Sequence, residues 1–112
     1  MQIQIEKEQN VLILKPTERR LDATSAEEFR DQLMEVVEEG NRRIVLDVSD
    51  VEFIDSTGLS VIIFARKSMG EDGRFVISEA CETIETLFKL TRMDKVFPMF
   101  SATVDAVEAL KE

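Results

Sequence analysis

The chain contains no histidine, and this absence removes several classes of catalytic chemistry. Ser-His-Asp and Cys-His arrangements cannot form without an imidazole base. Histidine-based zinc sites are excluded for the same reason, and the single cysteine, Cys81, can build neither a thiolate metal site nor an internal disulfide. One unpaired cysteine favours a reducing cytoplasm. We expect Cys81 to be a small residue at a helix start or in the core.

Nucleotide-binding and hydrolase signatures are also missing. The sequence has no G-x-x-x-x-G-K-[ST] phosphate loop, no G-x-G-x-x-G fingerprint and no G-x-S-x-G nucleophile elbow. Carboxylates are abundant, but their spacing marks no catalytic pair, so we interpret them as solvated helix faces. The sequence therefore predicts a protein that is not an enzyme, with no catalytic residue, no metal site and no cofactor.

Clustered basic residues and long apolar runs are scarce as well. The chain of 112 residues carries 14 lysines and arginines against 23 acidic residues, a net charge of −9. Nucleic-acid-binding domains usually present a basic face, so we expect no direct nucleic-acid binding. No window reaches the ~18 apolar residues of a membrane span, and the N-terminus lacks the features of a signal peptide. The sequence predicts one cytoplasmic domain over residues 1–112, with no membrane association.

Strand patterns occupy the start and the middle of the chain. Ile3 and Ile5 alternate with polar residues, and an apolar run from Val11 is ended by Pro16, which together predict a β-hairpin with its turn at residues 7–10. The segment Arg43–Val48 is apolar on both faces, which is typical of a central strand.

A helix is predicted between these strands, over residues 22–40. Thr24 and Ser25 are each followed three residues later by a glutamate, the spacing of a capping box. Gly40 supplies the C-terminal stop. Five apolar residues share the predicted inward face: Ala26, Phe29, Leu33, Val36 and Val37.

The second half alternates helices and strands. Residues 57–69 predict a largely buried helix, residues 74–78 a strand, residues 81–90 a short helix, and "KVFPMF" an edge strand because of its proline. The inward residues of the last two helices are predicted to be Ile84, Leu87 and Phe88, and Val104, Val107 and Leu110.

This order, β-β-α-β-α-β-α-(β)-α, predicts an α/β fold. Alternation of strands and helices favours parallel pairing with right-handed crossovers, while the first hairpin adds an antiparallel edge. We therefore expect a single mixed β-sheet of four to five strands, with helices packed mainly on one face.

A break between two apolar segments, "VEFI" and "LSVIIFA", holds Asp55, Ser56, Thr57 and Gly58. Ser56 or Thr57 could cap the following helix. Gly58 lies in the first turn of that helix, where glycine has a cost relative to alanine. Two explanations stay open: the glycine lets the turn pack closely against a neighbouring segment, or bare backbone lets another protein or an anion approach.

The stretch "DVSDVEFIDSTGLSVII" resembles the signature of the anti-sigma factor antagonists, bacterial members of the STAS domain family. "RLDATSAEEFRDQL" and "LFKLTRMDKVFPMF" are similar to two further segments of the family, in the family's order. The chain departs from the family where a glycine is common at three places: two residues before Leu21, at Ser60 and at Arg92.

The resemblance implies a phosphorylation switch at Ser56, the serine that follows the aspartate. In the family, the unphosphorylated antagonist binds an anti-sigma factor with serine kinase activity and thereby frees a sigma factor. The kinase then phosphorylates the antagonist, which lets go, and a PP2C-type phosphatase restores it. The resemblance thus implies a binding module and kinase substrate. We expect the partner to dock on the start of the helix at Thr57 and on the loop near Leu21, because both follow a strand and can share one end of a parallel sheet. The predicted partner-binding residues are Asp22, Ala23, Thr24, Asp55, Ser56, Thr57, Gly58 and Leu59.

Other functions stay open at this point. One is a STAS module that does not switch, such as a scaffold or a transport-associated interaction module. Another is a receiver domain phosphorylated on Asp47 or Asp55, although "LILKPTE" lacks the acidic pair that a receiver needs after its first strand. If the chain is an anti-sigma factor antagonist, Gly58→Val is expected to weaken partner binding at a modest cost in stability.

Overall fold

The computed structural model describes residues 1–111, in which strands and helices alternate as the sequence predicts. The strands are β1 (Ile3–Glu8), β2 (Val11–Pro16), β3 (Arg20–Leu21), β4 (Arg43–Asp47), β5 (Phe53–Ile54), β6 (Arg74–Ser78) and β7 (Met99–Phe100). The helices are α1 (Ala26–Glu38), α2 (Ser56–Ser68), α3 (Glu82–Leu90) and α4 (Thr103–Leu110), with a single 3₁₀ turn at Met93–Lys95.

Five strands form one mixed sheet in the order β1-β2-β4-β6-β7. β1 is antiparallel to β2, and the other neighbours are parallel. Strand β4 lies at the centre, where Ile44, Val45 and Leu46 are buried on both sides of the sheet, so the prediction of a central strand is confirmed. Strand β7 is an edge strand, as predicted, but it comprises only the last two residues of the predicted "KVFPMF", since Lys95 belongs to the 3₁₀ turn and the strand begins after Pro98.

The two faces of the sheet are covered unequally. Helices α1, α2 and α3 pack on one face and enclose the larger core, which includes Phe29, Ile62 and Phe88. Helix α4 packs on the other face with Ala106, Val107 and Leu110, over a smaller apolar cluster of the sheet. The mixed sheet with helices mainly on one face is thus confirmed.

A second, two-stranded parallel sheet pairs β3 with β5 and was not predicted. Leu21 and Ile54 are its buried residues. The sequence gives no periodic signal for it, because a strand of two residues is too short to show alternation. This small sheet leads directly into α1 and α2, so it places the starts of both helices side by side.

Several local predictions are wrong in detail. The hairpin turn is only Gln9-Asn10, since Glu8 pairs with Val11. No capping box forms at α1: Ser25 is the N-cap residue, but its hydroxyl accepts a hydrogen bond from the backbone N–H of Asp22 and caps no N–H of the helix. The carboxylate of Asp22 accepts hydrogen bonds from both the N–H and the hydroxyl of Thr24.

Two apolar side chains point to solvent: Phe64, on a helix predicted to be largely buried, and Val104, which was predicted to face inward. Phe64 of α2 is 51% exposed and Val104 of α4 is 71% exposed. In α4 the buried positions are three and four residues apart from Thr103 onwards, so Ala106 takes the inward position that Val104 was expected to hold. Leu87 of α3 is half-buried, while Ile84 and Phe88 are buried as predicted.

No helix within residues 1–111 has the length and apolar content needed to cross a membrane.

Candidate functional site at the start of helix α2

Asp55 is the residue that organises the break between β5 and α2. It is the N-cap of α2, and its Oδ1 accepts a hydrogen bond from the N–H of Gly58 at 2.9 Å. Its Oδ2 accepts a second one from the N–H of Ala23 at 3.3 Å. The sequence prediction that Ser56 or Thr57 caps the helix is therefore wrong, although aspartate is an equally good N-cap. One carboxylate joins the helix start to the neighbouring loop.

That loop, Asp22-Ala23-Thr24, is held in shape by Asp22. Its Oδ1 accepts hydrogen bonds from the Thr24 hydroxyl at 2.6 Å and the Thr24 N–H at 3.0 Å, and its Oδ2 receives Arg20 Nε at 3.3 Å. These donors stabilise the charged form, the Thr24 hydroxyl most, and they lower the pKa of Asp22 below its ordinary value. The two predicted partner-binding segments thus lie together at one end of the β3–β5 pair.

Ser56 and Thr57, the first two residues of α2, are exposed at this junction. Within residues 1–111, neither side-chain hydroxyl takes part in a hydrogen bond. The backbone of Ser56 does contribute, because its carbonyl oxygen accepts a hydrogen bond from the Ser60 hydroxyl at 2.7 Å. The Ser56 hydroxyl can therefore be modified or contacted without breaking an intramolecular bond.

Gly58 is buried, and the structure supplies a packing reason for it. A Cβ atom at this position would lie 2.9 Å from the carbonyl carbon of Leu21 and closer still to its oxygen. The same oxygen accepts a hydrogen bond from Asp55 N–H at 3.2 Å. The sequence left two explanations open for this glycine, and the structure supports the first: Gly58 lets the turn pack closely against Leu21. The expectation that Gly58→Val costs little stability is wrong, because its side chain would clash with backbone.

The eight predicted partner-binding residues divide into two groups. Gly58 and Leu59 are buried beneath the junction. The other six are exposed or half-buried at the junction and remain predictions: Asp22, Ala23, Thr24, Asp55, Ser56 and Thr57.

Two arginines next to the site were not among the predicted residues. The guanidinium of Arg20 lies 4.3 Å from the centre of the Phe53 ring and also reaches Asp22. Arg19 forms a two-pronged ion pair with Glu52, with both nitrogen–oxygen distances at 3.0 Å. The sequence signal was their occurrence where the family commonly has a glycine. Each of the two positive charges is paired with a carboxylate, that of Arg19 with Glu52 and that of Arg20 with Asp22.

Asp47 and Cys81 lie outside this junction. Asp47 Oδ2 accepts a hydrogen bond from the Thr103 hydroxyl at 2.8 Å, which in turn is 2.6 Å from the buried Ser78 hydroxyl, so Asp47 holds the start of α4. Cys81 is exposed and is the N-cap residue of α3, which agrees with the predicted helix-start position.

Comparison with known proteins identifies the family of the chain. The STAS domain model matches residues 2–106. A candidate anti-sigma factor antagonist of Thermotoga maritima is 31% identical over 104 residues, which cover 91% of this chain and 91% of that protein. The anti-sigma-F factor antagonist RsfB of Mycobacterium tuberculosis is 26% identical over 91 residues, covering 81% of this chain and 75% of RsfB.

A solved structure extends the similarity to the fold. The crystal structure of a candidate anti-sigma factor antagonist from Thermotoga maritima superposes with a TM-score of 0.89 at 27% identity, covering 98% of this chain and 95% of that one. The family model, the sequence relatives and the solved structure all lead to the same assignment. The chain belongs to the STAS domain family, and the relatives it resembles are anti-sigma factor antagonists.

Proposed function

We propose that this protein is a cytoplasmic anti-sigma factor antagonist that works by partner switching. In its unmodified form it binds an anti-sigma factor that is also a serine kinase, and the sigma factor held by that kinase is released. Phosphorylation of Ser56 by the kinase ends the complex, and a PP2C-type phosphatase regenerates the binding form. The protein itself supplies a surface and a phosphate acceptor, and no catalytic group.

The main observation behind this proposal is that the Ser56 hydroxyl is exposed and not hydrogen-bonded. It is exposed at the first position of α2, it makes no hydrogen bond within residues 1–111, and the neighbouring Asp55 already caps the helix. A kinase can therefore take this hydroxyl as an acceptor without unfolding the turn. The motif's aspartate and glycine maintain the helix start, which leaves the serine free for modification.

The switch follows from where the new charge would lie. A phosphoserine carries about −1.5 to −2 charges at pH 7. The N-terminal end of α2 favours that charge by roughly 0.3–1 kcal/mol at an exposed site, and the adjacent Asp55 carboxylate opposes it. These intramolecular effects are small and of opposite sign, so they give no reason for the domain to refold.

At a closed interface the balance is different. A desolvated charge without a partner costs several kcal/mol, and a loss of about 2.7 kcal/mol already weakens binding ~100-fold. Phosphate on Ser56 would therefore block the complex by local charge and bulk. The free protein is expected to keep its structure.

Intact-mass analysis tests the acceptor. Anti-sigma factor kinases from the source genome are purified, incubated one by one with the protein and ATP, and the product is mapped by peptide sequencing. The expected result is a single phosphate on Ser56, lost in Ser56→Ala and retained in the matched variant Thr57→Ala. Phosphate taken up by Ser56→Ala at the wild-type rate would disprove the assignment of Ser56. A protein that binds a partner but accepts phosphate from none of the kinases would instead be a STAS scaffold that does not switch.

A further inference from the structure

Helix α4 has little apolar contact with the face of the sheet on which it lies. Three of its eight residues are buried: Ala106, Val107 and Leu110. They pack on an apolar cluster of the sheet that is separate from the main core: Val11, Ile13, Val45 and Val76. Val104, in the first turn, is 71% exposed. A helix this short is not stable in water by itself, so the contacts that fix α4 to the sheet decide whether it stays folded.

The first residue of α4, Thr103, is fixed to the sheet by three hydrogen bonds. Its hydroxyl donates to Asp47 Oδ2 at 2.8 Å and lies 2.6 Å from the hydroxyl of Ser78, which therefore donates to it. Its backbone N–H donates to Glu79 Oε2 at 2.8 Å. The preceding residue, Ala102, is the N-cap residue and makes no side-chain cap. A carboxylate is favourable at a helix N-terminus, so Glu79 supplies the cap that α4 lacks.

The buried hydroxyl of Ser78 makes closure of the helix depend on Thr103. Ser78 is completely buried, and the Thr103 hydroxyl is its hydrogen-bond partner. A buried hydroxyl that has no partner costs free energy. Helix α4 can therefore cover Ser78 without this cost because Thr103 brings an acceptor with it. When α4 moves away, water reaches Ser78 and takes over the hydrogen bond.

We propose that α4 is a movable cover of the sheet, held closed by Thr103, which opens as a unit while the sheet and the other three helices stay folded. The chain passes from β7 into α4 through Ser101 and Ala102, so opening breaks no strand pairing. The open state presents the apolar sheet surface that the closed state hides: Val11, Ile13, Val45 and Val76. The opening of α4 does not depend on the function proposed for Ser56.

Native-state hydrogen exchange tests the cover. The exchange of single amides is followed by NMR under conditions where the rates report opening equilibria. Relative to their intrinsic rates, the amides of residues 106–110 should exchange at least ~10-fold faster than the slowest amides of β4. Equal protection of α4 and β4 would mean that α4 opens only when the whole domain unfolds, and this result would overturn the inference.

Two mild variants separate opening of α4 from unfolding of the domain. Thr103→Val leaves the Ser78 hydroxyl without a partner in the closed state only, so exchange in α4 should become about 10-fold faster. Ile62→Val, in the main core, should make the slowest exchange in β4 about 5-fold faster and leave α4 close to its wild-type rate. If Ile62→Val accelerates α4 as much as β4, α4 is not a separate unit.

A double variant tests the role of Ser78. Ser78→Ala removes the hydroxyl that Thr103→Val leaves unpaired, and replacing both partners by apolar groups costs little. Exchange in α4 should therefore be at least ~3-fold slower in the double variant than in Thr103→Val alone. Equal exchange in these two proteins would show that the buried hydroxyl does not control closure, and the proposal would be wrong.

Thr91→Val is the matched control for the loss of a threonine hydroxyl. The Thr91 hydroxyl donates to the carbonyl oxygen of Leu87 at 2.8 Å, at the end of α3. Its removal should leave exchange in α4 at the wild-type rate. Faster exchange in α4, to the extent seen with Thr103→Val, would show that the effect is not specific to the contact between α4 and the sheet, and would overturn the role given to Thr103.

Discussion

Replacing Gly58 by alanine is predicted to destabilise the protein, although helix propensity alone predicts the opposite. In a helix interior, alanine is favoured over glycine by about 1 kcal/mol. The added Cβ would, however, lie 2.9 Å from the Leu21 carbonyl carbon and 3.2 Å from the Leu21 Cβ. Both neighbours belong to β3, so relief requires α2 to move away from the β3–β5 pair. Overpacking of this kind costs about 1–3 kcal/mol.

We expect a net loss of about 1 kcal/mol in the free energy of unfolding, measured by urea denaturation, because an overpacking cost of about 2 kcal/mol exceeds the helix-propensity gain of about 1 kcal/mol. The matched control is Ser60→Ala, at an exposed position of the same helix, which should change stability by less than about 0.5 kcal/mol. The amide NMR signals of residues 21–24 should shift in Gly58→Ala, because the Asp55–Leu21 hydrogen bond spans the same contact. A Gly58→Ala protein as stable as wild type, or more stable, would refute the packing argument.

Three further predictions concern the turn chemistry. Asp55→Ala removes the helix cap and should lower the free energy of unfolding by about 1 kcal/mol, and Asp55→Asn should lower it by less. Ser56→Ala should lower it by under about 0.5 kcal/mol. If urea denaturation shows that Ser56→Ala loses as much stability as Asp55→Ala, this prediction is wrong. Arg92 has a left-handed backbone with φ 61°, so Arg92→Gly should stabilise by roughly 0.5–1 kcal/mol, and a lower calorimetric melting temperature would argue against it. The pKa of Asp22 is lowered in the folded state, so the ionised carboxylate stabilises the fold above pH ~4, and this contribution is lost as the pH falls through the folded-state pKa. Asp22→Asn should therefore lose less stability than wild type when the pH is lowered from about 4 to 2. Equal losses in the two proteins would disprove the effect.

The main architecture could be predicted because its strands and helices are long enough to show a period. The alternation at Ile3 and Ile5, the doubly apolar run at Arg43–Val48 and the inward face of α1 each correspond to an element in the structure. A signal of this kind sums over many residues, so single deviations such as Phe64 do not change it.

The geometry of the site could be predicted only in part. The residues of the motif were identified from sequence, but the structural role of each one depends on contacts between segments that are distant in the chain. Asp55 binds Ala23 and Gly58 packs on Leu21, both across the two-residue strands β3 and β5. Neither contact has a local sequence pattern, and this is why the cap was assigned to a hydroxyl and why the cost of enlarging Gly58 was set too low.

Partner switching requires that phosphate on Ser56 blocks binding and leaves the fold unchanged. The most direct measurement compares unmodified and Ser56-phosphorylated protein, in affinity for the same purified anti-sigma factor and in backbone amide NMR shifts when free. We expect at least ~100-fold weaker binding of the phosphorylated form, with shift changes confined to residues 55–60 and the facing loop at residues 22–24. Equal affinity of the two forms, or shift changes spread through the sheet and remote helices, would contradict it.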